Sequence, residues 1–213
     1  FYWNFYNQFN SSNTIFHIQY GNNKFPLDVL KAKCNFKAKV ITTFHGHDAF
    51  FPMHGHIPNN GYYDLLFESA NIITANTKYL ADKVEQLGCP TNKLKIVPVG
   101  VDTNYFNSIS ASKNTNSVLH LLNVGRLDAV KGQKYLIEIV HQIIKKGVEI
   151  HLSIVGEGEE RNNLEQLIKK YNLSKYVQLL GKKTQSEIKE IYLKADLYVF
   201  AAVPLKDGRR ETQ

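Results

Sequence analysis

Short apolar runs crowded with β-branched and aromatic residues alternate along this chain with longer runs whose apolar positions recur three and four residues apart. TIFHIQY (14–20), KVITTF (39–44) and NIITAN (71–76) are too short for helices and predict strands. TKYLADKVEQL (77–87) sets Leu80, Val84 and Leu87 on one helical face, with Gly88 at the C-terminal cap and Pro90 beyond it. KLKIVPV (93–99) predicts one more strand. The stretch DTNYFNSISASKNTNS (102–117) carries no apolar period and predicts a boundary. After it VLHLLNV (118–124), VEIHLSIV (148–155), YVQLL (176–180) and DLYVFAA (196–202) predict strands. Residues 133–146, 157–171 and 185–194 predict helices, the first stopped at Gly147, the second with Leu164, Leu167 and Ile168 inward.

Strands alternating with helices through short loops imply parallel sheets covered on both faces. The fold class is therefore α/β, with two Rossmann-like domains: residues 1–107, a linker at 108–117, and residues 118–213.

Composition bounds this picture. Over 213 residues, 43% hydrophobic and 21% charged content supports packed cores rather than disorder. The excess of 26 Lys and Arg over 19 Asp and Glu, a net +7, suits anionic partners such as nucleotides or lipid headgroups. Nucleic acid is not expected, because no aromatic residues interleave with a basic motif. The chain has no run of about 18 apolar residues, as a membrane-spanning helix requires. Its opening, FYWNFYNQFN, lacks the basic stretch followed by an apolar one that marks a signal peptide. Cys34 and Cys89 are too few and too far apart for a disulfide framework or a zinc knuckle, so a cytoplasmic location with reduced thiols is expected. The lysine pairs Lys145/Lys146 and Lys169/Lys170 suggest a weak peripheral contact with the inner face of the cell membrane. Residue 1 is Phe1 and the only methionine is Met53, so both ends are expected to be cuts in a longer protein.

Ligands of parallel sheets bind at the carboxyl ends of strands, so the residues just after each strand carry the chemical information. HGHD (45–48) follows KVITTF, and His54 and His56 lie in the same loop. Three readings stand open: a metal site, a strand-end histidine that contacts substrate, or loop structure alone. Histidines two apart on an irregular loop fit no common zinc ligand set. NVGRLDAVKG (123–132) places Gly125 at a strand end, Arg126 after it and Lys131 at the start of a helix. Two fixed cations beside a helix N-terminus suit a diphosphate, the bland alternative being surface charge with Asp128 pairing locally. VGEGEER (155–161) imitates a dinucleotide fingerprint but fails it. Arg161 replaces a small residue, and Glu157, Glu159 and Glu160 put negative charge where a pyrophosphate would sit. Acidic residues in a first helical turn have a structural explanation instead. VPLKDGRRETQ closes the chain with Asp207, Arg209, Arg210 and Glu211 in a strand-end loop.

In order, HGHD, NTKYLADKVEQLG, KIVPVGVDTNYF, NVGRLDAVKG, IVGEGEERNNLEQL, VQLLGKKTQSEIKEIYLKADLYVF and DGRRETQ resemble segments of the glycosyltransferase family 4 enzymes over roughly residues 39–213. The resemblance implies the GT-B architecture, two Rossmann-like domains both incomplete here, and sugar transfer with retention of configuration. It implies a nucleoside diphosphate sugar as donor, a polysaccharide or lipid-linked glycan as acceptor, and neither cofactor nor metal. By matching position, His45 would contact the donor sugar, and Gly125, Arg126 and Lys131 would form the diphosphate-binding turn. Gly181 and Lys182 would lie beside the base, and Glu211 would be the first glutamate of the family's Glu-x7-Glu motif. The second glutamate and the glycine-rich turn after the family's first strand are missing, so the isolated chain is expected to be inactive. Two readings compete: a non-catalytic nucleotide- or phosphate-binding module, and a metal-dependent hydrolase built on His45, His47, Asp48, His54 and His56.

Overall fold

A computed structural model describes residues 2–50, 61–106, 118–206 and 209–211. Two compact units emerge: Phe1–Gly100 together with Asp207–Gln213, and Val101–Lys206. The proposed linker at 108–117 lies outside the described residues.

The first unit runs α1 (Tyr2–Phe9), β1 (Ile15–Gln19), α2 (Leu27–Lys33), β2 (Lys39–Phe44), α3 (His47–Phe50), α4 (Asp64–Ser69), β3 (Ile72–Ala75), α5 (Lys78–Gln86) and β4 (Leu94–Ile96). Its four strands are parallel and lie in chain order, with Gln19 beside Thr43, Thr43 beside Thr74, and Thr74 beside Lys95. Each crossover steps in the same direction, and crossovers of one hand then put the intervening helices on one face. Burial follows that rule. Ile18, Val40, Thr42, Phe44, Ile73 and Ala75 are buried with the helices, whereas Ile15, His17, Gln19, Ile72 and Lys95 on the other face are exposed. Among the described residues the second face is buried only toward its carboxyl end, at Thr74 and Asn76. Phe5, Tyr6 and Phe9 of α1 extend the core by packing on it, with Phe5 and Phe9 each against Phe16.

The second unit runs β5 (Leu119–Val124), α6 (Gln133–Lys145), β6 (Ile150–Val155), α7 (Arg161–Lys170), β7 (Val177–Gly181), α8 (Gln185–Lys194) and β8 (Leu197–Tyr198). All its strands are parallel, in the order β7-β6-β5-β8. The chain moves outward from β5 to β7 and then returns across the sheet to β8. Leu136, Ile137 and Val140 of α6 and Leu164 and Ile168 of α7 bury one face with Leu121, Leu152 and Ile154. Ile191 and Lys194 of α8 border a groove of about 340 Å³ with Leu122, Ser153 and Gln178 on the opposite face. The reversal creates a switch point between β5 and β8, where the loops leaving two neighbouring strands diverge and leave a crevice.

Three local expectations need correction. The 93–99 and 196–202 strands shorten to Leu94–Ile96 and Leu197–Tyr198. The 157–171 helix begins only at Arg161, because Gly156–Glu160 is spent on a turn against the β5 loop: Leu127 N donates to Glu157 O at 3.0 Å and Glu160 N to Leu127 O at 3.1 Å. Its acidic residues therefore precede the helix rather than filling its first turn. The HGHD segment is not irregular throughout, since His47–Phe50 forms a short helix.

Candidate functional site

Each unit gathers a constellation at the carboxyl ends of its strands. In the first, Asp48 is the organising residue. Its carboxylate is fully buried and accepts three backbone N–H groups: Gly21 N at 2.6 Å on one oxygen, and His45 N and Gly46 N, each at 3.0 Å, on the other. These bonds tie the turn after β1 to the turn after β2. The Tyr63 hydroxyl donates to the Asp48 carbonyl at 2.6 Å, and burial together with the Asp48 charge pushes the phenol pKa upward. Asp48 thus serves the backbone and is no metal ligand in waiting.

His45 is half-buried in this frame. Its Nε2 lies 2.7 Å from Gln19 Oε1. An amide oxygen only accepts, so Nε2 carries the proton in this arrangement. The Tyr20 ring lies 4.6 Å from the imidazole, centre to centre. One row further into the sheet, His17 Nε2 is 2.7 Å from Thr43 Oγ1, which is 2.6 Å from Thr74 Oγ1. The open face of this sheet is thus a polar ladder at its carboxyl end.

His47 is exposed at the start of α3. His54 and His56 lie outside the described residues. Among the described residues no three His, Cys, Asp or Glu side chains are gathered as a metal site. Glu211 is half-buried and belongs, with the closing residues, to this first unit.

In the second unit the turn after β5 lies at the switch point. Gly125 N continues the ladder to Val155 O at 2.9 Å, and Arg126 follows it. The Arg126 side chain is 72% exposed, so it is available to a ligand, and it pairs with Asp128 at 2.9 Å. Asp128 also caps the 3₁₀ turn Ala129–Lys131, accepting from Val130 N at 3.1 Å. Lys131 ends that turn, two residues ahead of α6 rather than inside its start, with its ammonium 5.5 Å from the centre of the Phe200 ring on the loop after β8. Two side-chain amides hold the turn: Gln133 Nε2 donates to Arg126 O at 3.0 Å, and Asn123 Nδ2 to Val199 O at 2.8 Å.

Gly156 brings the remaining residues together. It has φ 144° and packs so closely on the Gly125 carbonyl that a side chain would overlap it, while its N–H donates to Gly181 O at 2.9 Å. Gly125 and Gly181 are therefore two neighbours of one residue. Lys182, beside Gly181, is exposed. Glu157, the carboxylate that would oppose a phosphate here, is paired with Arg161 at 2.6 Å. The lysines named above as a membrane contact fall elsewhere, Lys145 in the last turn of α6 and Lys169 and Lys170 in the last turn of α7. No helix among the described residues is long and apolar enough to cross a membrane.

Sequence reading missed Gln19, Tyr20, Thr43, Thr74 and Asn76, and named Asp48 only within the HGHD motif and the competing metal-dependent reading. One signal was available: NIITAN ends an apolar strand on an asparagine.

Comparison with known proteins places these features. The family model for Glycosyltransferase Family 4 matches residues 14–105, and that for glycosyl transferases group 1 matches residues 106–203. The chain is 29% identical over 177 residues to a protein of Escherichia coli (strain K12) named for glycosyl transfer in colanic acid biosynthesis, covering 82% of this chain and 43% of that one. It is 27% identical to the amylovoran biosynthesis glycosyltransferase of Erwinia amylovora, covering 82% of this chain and 42% of that one. The chain thus spans less than half the length of these relatives. Among solved structures, the Anabaena protein HepE in complex with UDP aligns with a TM-score of 0.72 at 17% identity, over 89% of this chain and 53% of that one. A glycosyltransferase of Rickettsia africae aligns with a TM-score of 0.68 at 21% identity, over 93% and 53% respectively. The fold is the GT-B fold of these neighbours, with two parallel-sheet α/β units. The two family models meet at residues 105 and 106 and together take in most of the sequence, so the chain carries a family 4 glycosyltransferase domain followed by a group 1 glycosyl transferase domain.

Proposed function

We propose that this chain carries the core of an enzyme that moves a sugar from a nucleoside diphosphate sugar to a hydroxyl of a polysaccharide or lipid-linked glycan, with retention at the anomeric carbon. The observation that carries the reading is the pair Arg126 and Lys131 on one turn at the β5–β8 switch point, both after a strand and ahead of the α6 N-terminus. A diphosphate leaving group accumulates negative charge as the sugar departs, and fixed cations placed before the reaction stabilise that charge without reorganising. The donor class is supported by neighbours solved with UDP and glucose, and with UDP and GlcNAc. The acceptor class is supported by relatives named for colanic acid and amylovoran biosynthesis.

In the proposed step the bond between the anomeric carbon and the diphosphate oxygen breaks as the acceptor oxygen bonds to the same face of that carbon. The acceptor proton passes to the departing phosphate oxygen. Arg126 and Lys131 hold the diphosphate, so the charge a divalent ion would otherwise supply comes from side chains. His45, with its Nε2 proton oriented by Gln19, and Glu211 contact the sugar.

Calorimetric titration with UDP and with GDP tests the reading, alongside an assay for sugar transfer and donor hydrolysis. Charge-assisted hydrogen bonds contribute about 1.5–3 kcal/mol each, so Arg126→Ala and Lys131→Ala should each weaken nucleotide binding about ten- to a hundredfold. Arg126 must exchange Asp128 for the ligand, which places its loss at the lower end. Unchanged affinity in both variants overturns the assignment. Binding without transfer or hydrolysis by the full-length protein identifies a nucleotide-binding module instead.

A further inference from the structure

Most described polar side chains at the carboxyl end of the polar face of the first sheet have partners. His17, Thr43 and Thr74 form one chain of hydrogen bonds, Gln19 and His45 form another, and Asp48 is saturated by backbone N–H groups. Asn76 is 5% exposed, and neither its Oδ1 nor its Nδ2 meets a hydrogen-bond partner. Among the described residues it alone leaves a whole side-chain carboxamide buried and unpaired. Burying such a group without partners destabilises a fold, and native proteins keep few of them.

Its position suggests what pairs with it. Phe44 and Ala75 are partners in the β2–β3 register, so the next step outward sets Asn76 beside His45 at the carboxyl edge. Strand alternation carries Asn76 to the face of Thr74, two residues earlier, and that face also holds Thr43 and His45. A carboxamide presents one acceptor and two donors side by side, and each sugar hydroxyl both donates and accepts. Vicinal hydroxyls on a sugar ring therefore satisfy both ends of the amide at once. An anionic phosphate would satisfy only the NH2 and leave Oδ1 unpaired.

Resting on the reading above that this chain handles sugars, we propose that Asn76 is a substrate-binding residue that receives vicinal hydroxyls of a sugar ring beside His45. The same chemistry is offered by the donor sugar and by a sugar of the acceptor, and the experiment distinguishes them.

The side-chain NH2 resonances of Asn76 in the isotopically labelled 213-residue chain are followed by NMR, with UDP, UDP-glucose and methyl α-glucopyranoside added separately. A shift with UDP-glucose and not with UDP assigns Asn76 to the donor sugar. A shift with the free hexoside assigns it to the acceptor. No shift with either sugar, while UDP binds by calorimetry, overturns this inference and leaves the proposed function standing. Failure of UDP to bind, with the hexoside still shifting the pair, overturns the proposed function and leaves Asn76 as a sugar site. Silence from all three ligands overturns both.

Asn76→Leu, similar in shape and apolar, separates binding from structure. The ligand-free variant should melt at or above the wild-type temperature, because an unsatisfied buried amide has been removed. Its affinity for whichever sugar shifts the Asn76 pair should fall about ten- to a hundredfold. A lower melting temperature with sugar affinity intact assigns Asn76 to the scaffold and overturns the inference.

Discussion

Asp48→Asn separates the scaffold role of Asp48 from any role in chemistry, since it removes a charge while nearly preserving shape. In the native frame one carboxylate oxygen accepts Gly21 N at 2.6 Å and the other accepts His45 N and Gly46 N at 3.0 Å. An asparagine keeps one oxygen. With that oxygen on His45 and Gly46, the new NH2 faces the Gly21 N–H, donor against donor. One charge-assisted bond of about 1.5–3 kcal/mol is lost, and a buried N–H is left unpaired at a further cost of about 1–3 kcal/mol. Relief from burying a charge offsets part of this, so a net loss of about 2–4 kcal/mol is expected, a large share of the 5–15 kcal/mol that typically holds a domain together. For a unit of roughly a hundred residues this lowers the melting temperature by about 8 °C or more. Urea unfolding read by Trp3, the chain's single tryptophan, reports the first unit. Amide exchange read residue by residue follows both units. The Trp3 transition should move, protection at Gly21 and Gly46 should fall, and protection in β5 and β6 should stay. A loss under about 0.5 kcal/mol, or equal losses in both units, refutes the reasoning, because three convergent bonds confined to one unit predict neither. The His45 backbone is tied by one of these bonds, so the imidazole contact with Gln19 should loosen in the same variant.

Two further predictions concern the second unit. Hydrogen bonds from the Thr184 backbone N–H, then from the Thr184 hydroxyl and Lys183, hold the Glu187 carboxyl well below its ordinary value, at about 2. The capping interaction at the start of α8 is therefore fully present above the unfolded carboxylate range and is lost as pH falls from about 4.5 through about 2. An NMR titration of Glu187 should give a midpoint near 2, and a midpoint in the ordinary range contradicts the geometry. Gly156→Ala should cost at least about 2 kcal/mol through strain and displacement, because its φ is 144° and its side chain would enter the Gly125 carbonyl. It should also weaken UDP binding by moving the turn that carries Arg126. Gly100→Ala, where a Cβ meets nothing within 4 Å, is the control, and equal effects at the two glycines would discount the packing argument.

What could be read from the sequence divides along a physical line. The helices at 133–146 and 185–194 were legible because about three turns or more of one-sided apolar spacing define a period, and Thr184 with Glu187 writes a capping box at the start of the second. The helices Tyr2–Phe9, Leu27–Lys33 and Asp64–Ser69 were not, since two turns supply too few apolar positions to separate a helix from any other apolar cluster. The turn bearing Arg126 and Lys131 stood out because all of its relevant parts lie within ten residues. The role of Asp48 stayed open between metal ligand and loop structure for the opposite reason: one of its three partners, Gly21, is 27 residues away, and the distinction between a metal ligand and a backbone clasp lies in that distant contact. The cover of the two sheets shows the same limit. Alternation of strands and helices announces crossovers, but not whether they keep moving one way, as in β1 to β4, or turn back, as at β8. One direction leaves a polar sheet face clear of the crossover helices, where Asn76 sits beside His45, and the other makes a switch point, where Arg126 and Lys131 sit. The residues that bear on chemistry are thus readable one strand end at a time, whereas the surfaces they share are set by strand order, a property that no local window of sequence contains.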